Sequence, residues 1–125
     1  MALDEKCSDR NYLYGRLLAV ADRIEYRTFE KEDGRQTNAK RYMSAFSRRP
    51  FPTWKILEEK LIPYLSQLKG PERMKYQKLL DEICDRFSPD DFSSDEALSG
   101  LYLLGFHNQS YALKNIKENK EEDNE

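Results

Sequence analysis

His107 is the single histidine in this chain, so a serine–histidine–carboxylate triad or a histidine-based metal cluster would have to be built around it. No spacing of Ser, Cys, Asp or Glu proposes either, and His107 reads as an ordinary polar or half-buried helix residue. Cys7 and Cys84 lie 77 positions apart, which gives neither a disulfide framework nor a zinc-ligand spacing. Cys84 follows Ile83 on a helix face shared with Leu80 and Phe87, a setting for a buried thiol rather than a nucleophile. Gly100 and Gly105 fall inside a helical pattern and form no phosphate loop or dinucleotide fingerprint; close helix packing is the reading for them. The adjacent carboxylates Glu58-Glu59, Asp90-Asp91 and Glu121-Glu122 mark no two-carboxylate site. Catalysis, a metal, a cofactor and a small-molecule substrate are all unexpected.

Charge is distributed more tellingly. The formal balance of -2 hides a segment, residues 34 to 57, with six basic side chains and no carboxylate: Arg35, Lys40, Arg41, Arg48, Arg49 and Lys55. Guanidinium forks suit bidentate contacts to phosphate oxygens, and such contacts position a nucleic acid without reading its sequence. The competing explanation is pairing with the acid-rich second half of the chain, at about 0 to 1 kcal/mol per surface pair. Tyr42, Phe46, Phe51 and Trp54 are interleaved with the cations. Trp54 heads an apolar stripe and is expected to be buried, which leaves Tyr42 and Phe46 as the better stacking candidates. Arg16, Arg23 and Arg27 add a second basic line, partly neutralised by Asp22 and Glu25. A pI near 5.6 argues against a free-standing nucleic-acid binder and for a subunit held there by protein neighbours.

The elements that must position these residues are helices. Leu13, Leu17, Val20 and Ile24 predict a helix from about Asp9 to Glu32, ended by Gly34. Asn38 to Ser47 reads as a short helix and Arg48-Arg49-Pro50-Phe51-Pro52 as an extended turn, because proline restricts its predecessor. Trp54, Leu57, Leu61, Tyr64 and Leu68 make a third helix starting near Pro52 or Thr53, with a kink expected at Pro63. After Gly70-Pro71, Tyr76, Leu80, Ile83 and Phe87 make a fourth. Ser88 to Asp91 reads as a turn, and Ser93 with Glu96 as a capping box opening a fifth helix that reaches about Asn115.

An all-α, compact bundle of about five helices over residues 1–116 follows, with 117–125 an acidic, disordered tail. At 125 residues, 35% charged and 38% hydrophobic, one domain is the expectation. The longest apolar run, Leu101 to Phe106, is too short to span a membrane, and the opening residues lack a signal-peptide pattern, so a reducing, cytoplasmic setting is expected.

Three ordered segments resemble the C-terminal helical region of the large subunit of the type I-C CRISPR surveillance complex, Cascade. Tyr14-Gly15-Arg16-Leu17-Leu18-Ala19-Val20 looks like the family's Leu-Gly-Arg-Leu-Phe-Ala-Val helix. Arg41-Tyr42-Met43 with Ala45, Ser47, Pro50 and Trp54 resembles its Arg-Tyr-Phe segment. Gly100-Leu101, Leu104-Gly105-Phe106 and Gln109 to Leu113 resemble its closing Gly-Leu-x-x-Leu-Gly-Tyr-x-x-Gln helix. A chain of this length beginning with methionine is similar to the separate small subunit that such systems make. The resemblance implies a non-catalytic helical subunit, present in more than one copy beside the large and backbone subunits. There it would stabilise crRNA-guided target DNA and the displaced strand, with base pairing supplying specificity. Arg16 and Arg41 are the matched basic positions, whereas Arg48-Arg49, Phe106-His107-Asn108 and Ser110 depart from the pattern. The alternative is a helical protein–protein interaction module whose basic segment docks on an acidic protein surface; a toxin-like helical protein or small enzyme has no supporting constellation.

Overall fold

In the computed structural model the described residues are 2–29 and 36–123, with side chains as far as Lys114. Arg35 and Gly34 lie outside them. Every regular element among the described residues is a helix, and no strand occurs. There are seven: α1 (Arg10–Thr28), α2 (Asn38–Arg41), α3 (Met43–Arg48), α4 (Pro50–Gln67), α5 (Gly70–Arg86), α6 (Pro89–Ser93) and α7 (Leu101–Asp123). Four are long, and α1 is the axis on which α7, α4, α5 and α2 pack.

The apolar stripe expected on one face of α1 understates its burial. Every residue from Tyr12 to Ala21 is buried, as a helix enclosed on all sides requires. Leu13, Leu17, Leu18, Val20 and Ile24 are fully buried. Asp9 caps the helix by accepting from the Asn11 N–H at 2.8 Å. The helix ends at Thr28, earlier than Glu32, because Phe29 turns extended.

α1 and α7 meet almost backbone to backbone. A Cβ on Gly15 would land on the Tyr102 carbonyl oxygen and lie 2.7 Å from the Phe106 nitrogen. A Cβ on Gly105 would land on the Tyr12 carbonyl oxygen, 3.0 Å from its carbonyl carbon. Only glycine admits this approach, and it does so reciprocally, one glycine from each helix. Gly100 has open space around it and precedes α7 rather than lying in it. Beside the glycines, the Arg16 Nε donates to Gln109 Oε1 at 2.8 Å in a buried bond. Tyr12 accepts from Asn108 Nδ2 at 3.2 Å.

Several boundaries differ from expectation for local reasons. The short helix expected over 38–47 is two, because Tyr42 (φ -96°, ψ 7°) breaks it. The extended turn at 48–52 contracts to Arg49 alone (φ -142°, ψ 77°), since Pro50 and Pro52 sit in the first turn of α4, where no N–H is needed. α4 continues through Pro63 to Gln67. Gly70 starts α5 instead of ending the helix before it. Ser88 to Asp91 is not a turn: Ser88 caps α6, its hydroxyl accepting from the Asp91 N–H at 3.2 Å. The capping box at Ser93 and Glu96 does not form, because residues 94–99 run as an irregular connection and α7 begins at Leu101. α7 then extends helically to Asp123, through most of the segment expected to fray.

Candidate nucleic-acid interface

The short helices α2 and α3 are pinned by α1. Glu25, 3% exposed, accepts from the backbone N–H of Asn38 at 2.6 Å and from its side-chain amide at 3.2 Å. Thr37 donates its hydroxyl to Asp22 and accepts from the Lys40 N–H at 3.1 Å, capping α2. Asp22 and Glu25 therefore hold the start of α2. A carboxylate at a helix N-terminus answers unpaired N–H groups, so this anchoring also stabilises a helix too short to persist alone. From the other side, Ala39 and Phe46 are buried and Tyr42 and Met43 pack against the core.

With those residues turned inward, Lys40 and Arg41 of α2, Ser44 and Arg48 of α3 and the adjoining Arg49 are left exposed, and the four cations make a short basic ridge along the chain. Among the described residues Lys40, Arg41 and Arg48 make no ion pair. Arg49 differs: its Nη2 donates to Asp95 Oδ2 at 3.2 Å, both side chains being well exposed. Lys55 lies 3.9 Å from Glu58 and stands over the rings of Phe51 (5.4 Å) and Phe92 (5.9 Å). Among the described residues, the pairing that competed with phosphate contact is thus realised by two members of the segment, Arg49 across the chain and Lys55 within α4.

The second basic line lies among close neighbours. Arg16 is 3% exposed and bonded to Gln109; burial lowers its pKa, with the nearby Tyr12 and Glu5 opposing. The cleft that reaches it is rimmed by Glu5, Glu82 and Asp85 as well as Arg86, an acidic approach for a phosphate. Arg27 pairs with Glu72 at 2.7 Å, joining α1 to α5. Arg23 is half-buried, its guanidinium 5.5 Å from the Tyr26 ring and its Nε buried without a hydrogen-bond partner among the described residues. Arg16 and Arg27 hold helices together. Phe46 is likewise fully buried, with its ring edge-on to Tyr14 at 5.5 Å, so it offers no stacking face. Trp54 is buried as expected, and Tyr42 and Phe51 are half-buried.

Arg10 shows how a residue with no sequence signal acquires a task. Its guanidinium donates to the backbone carbonyls of Asp91 (3.1 Å), Ser94 (3.2 Å) and Glu96. Asn11 Oδ1 accepts from the Ser99 N–H at 2.8 Å, and the Tyr14 hydroxyl donates to the Phe92 carbonyl. One turn of α1 thereby fastens residues 91–99, and the Leu98 N–H donates to the Ser47 carbonyl at 2.7 Å, bringing that segment against the end of α3. Spacings of 78 to 88 positions for the α1 contacts hide them from a linear reading.

Elsewhere the chemistry is quiet. His107 is exposed with its ring edge-on to Phe106 at 5.7 Å. The half-buried Cys84 thiol is pushed up to about 11, first by burial and then by Glu58, Asp81 and Asp85. No group of three or more metal-ligating side chains occurs among the described residues. No helix among them is long and apolar enough to cross a membrane.

Fold and surface together define an all-helical protein whose distinctive exposed feature is a short cationic ridge. Comparison of the sequence with known families gives the more particular assignment: a family model described as CRISPR-associated protein (Cas_Csd1) matches residues 1–114. The chain belongs to that CRISPR-associated family. No curated protein matches it.

Proposed function

We propose that this chain is a non-catalytic small subunit of a type I-C Cascade, present in more than one copy. In this reading it contacts the phosphate backbone of the guided target DNA or its displaced strand through the ridge of Lys40, Arg41 and Arg48. The observation that carries it is that these three exposed cations make no ion pair among the described residues, in a chain whose other basic side chains include several held by acids or carbonyls. Family membership supports work alongside other CRISPR-associated proteins. The mechanism is electrostatic: the ridge neutralises phosphates of a separated strand, releases their counterions and so favours the unwound state. Guide pairing, not this surface, reads sequence. The large and backbone subunits are its protein neighbours in this proposal, in a cytoplasmic assembly.

Three contacts at about 0.7 each predict a single-strand salt slope near -2, or roughly a 20-fold loss of affinity between 50 and 200 mM salt. Replacing Lys40, Arg41 and Arg48 together by alanine should flatten that slope. An unchanged slope would sink the assignment. The second reading, docking of the ridge on an acidic protein surface, is favoured by the Arg49–Asp95 pair, which shows the segment engaging a carboxylate. Photocrosslinking from position 48 within the native assembly separates the two, yielding a nucleic-acid adduct in the first case and only a protein adduct in the second.

A further inference from the structure

Residues 88–99 carry four exposed carboxylates, Asp90, Asp91, Asp95 and Glu96, and lie against the end of the basic ridge. Three contacts place them there: Asp95 on Arg49 at 3.2 Å, the Leu98 N–H on the Ser47 carbonyl at 2.7 Å, and the Phe92 ring edge-on to Phe51 at 5.4 Å. The backbone of this segment is held from below by Arg10, Asn11 and Tyr14, so its position does not depend on the Asp95 side chain.

We infer that Asp95 is a specificity-determining residue that sets where the nucleic-acid footprint ends. This rests on the function proposed above. Arg48 and Arg49 are neighbours in sequence, yet among the described residues only Arg49 meets a carboxylate, which competes with phosphate for the same guanidinium fork. A phosphate approaching Arg49 must therefore displace the Asp95 carboxylate from it. Lys55, beyond it, faces Glu58. The strand is therefore kept to Lys40, Arg41 and Arg48 and turned away from Phe51 and Phe92. An exposed pair of this kind contributes about 0 to 1 kcal/mol, so the competition amounts to as much as about fivefold in affinity.

The test uses the full chain and a fluorescein-labelled single-stranded oligonucleotide, titrated by anisotropy at several salt concentrations. Asp95→Asn should tighten binding by about two- to fivefold and steepen the salt slope by about 0.7, one added phosphate contact. Glu96→Gln makes the same change of charge with no guanidinium to release and should leave the slope unaltered. In an Arg49→Ala background, Asp95→Asn should lose its effect, as a coupled pair requires. Equal gains from Asp95→Asn and Glu96→Gln, or a gain that persists without Arg49, would overturn the inference by reducing it to net charge. If the Lys40/Arg41/Arg48 alanine variant weakens binding while Asp95→Asn changes nothing, the footprint claim fails and the proposed function stands. Absence of binding by every variant overturns both.

Discussion

Replacing Gly105 by alanine tests whether the segments that resemble the CRISPR family are a packing device or a contact surface. The added methyl would fall on the Tyr12 carbonyl oxygen, 3.0 Å from its carbon and 3.1 Å from its Cα. All three atoms are backbone of the buried Tyr12 in the first turn of α1, so no side chain can rotate away. Relief requires α7 to move outward by about 1 Å or more, which strips dispersion contacts along the helix and stretches the Arg16–Gln109 bond. Overpacking of this kind costs about 1 to 3 kcal/mol, and a rigid backbone obstacle belongs at the upper end. Against it stands a gain of roughly 0.5 to 1 kcal/mol from replacing a helical glycine. A net loss near 2 kcal/mol is expected, read as a lower urea midpoint with an unchanged m-value. Gly70→Ala is the control: it stands at the first position of α5 with nothing within 4 Å, and should be neutral or slightly stabilising. Equal stability of Gly105→Ala and the unmodified chain would refute the close approach of α1 and α7.

Arg16→Met keeps much of the side-chain volume but leaves Gln109 Oε1, in a residue 2% exposed, without its donor. The expected loss is about 1 to 3 kcal/mol of stability in denaturant, with the salt slope of nucleic-acid binding by the folded protein unchanged. A flattened slope would return Arg16 to the contact surface. For Cys84 the folded thiol is raised to about 11 from an ordinary 9.0, so the folded state keeps a proton that the unfolded chain releases. Its contribution is complete below about pH 9 and declines as pH rises toward about 11. Tyr14 and Tyr76, also raised by burial, add to the decline at higher pH. Unfolding curves across that window should fall less steeply for Cys84→Ser than for the unmodified chain; parallel curves would contradict the shift.

Helix type was legible because it is a local property. The spacing of Leu13, Leu17, Val20 and Ile24, and of Tyr76, Leu80, Ile83 and Phe87, defines an apolar face whatever it packs against, and each of these residues is buried. Proline was legible only in part: its φ and missing donor permit an extended turn or a first helical turn, and at Pro50 and Pro52 the latter holds. The charge anomaly of 34–57 was visible in composition, and Trp54 was correctly assigned to the core. Whether a given cation faces solvent or a partner was not. Arg16 and Arg41 look equivalent as matched basic positions, yet one is enclosed beside Gln109 and the other exposed, because α7 covers α1 and no described residue covers Arg41.

By itself, then, the sequence determined an all-helical chain, the faces its long helices bury and a run of cations without acids. Tertiary structure decided which of those cations remain unpaired. Asp95 is 46 positions from Arg49, and Arg10 reaches carbonyls 81 to 86 positions away. Helix periodicity sets which side chains share a face, but a pairing across the bundle depends on how the helices dock. Here that docking turns on two glycines, Gly15 and Gly105, whose value lies in the backbone they let approach.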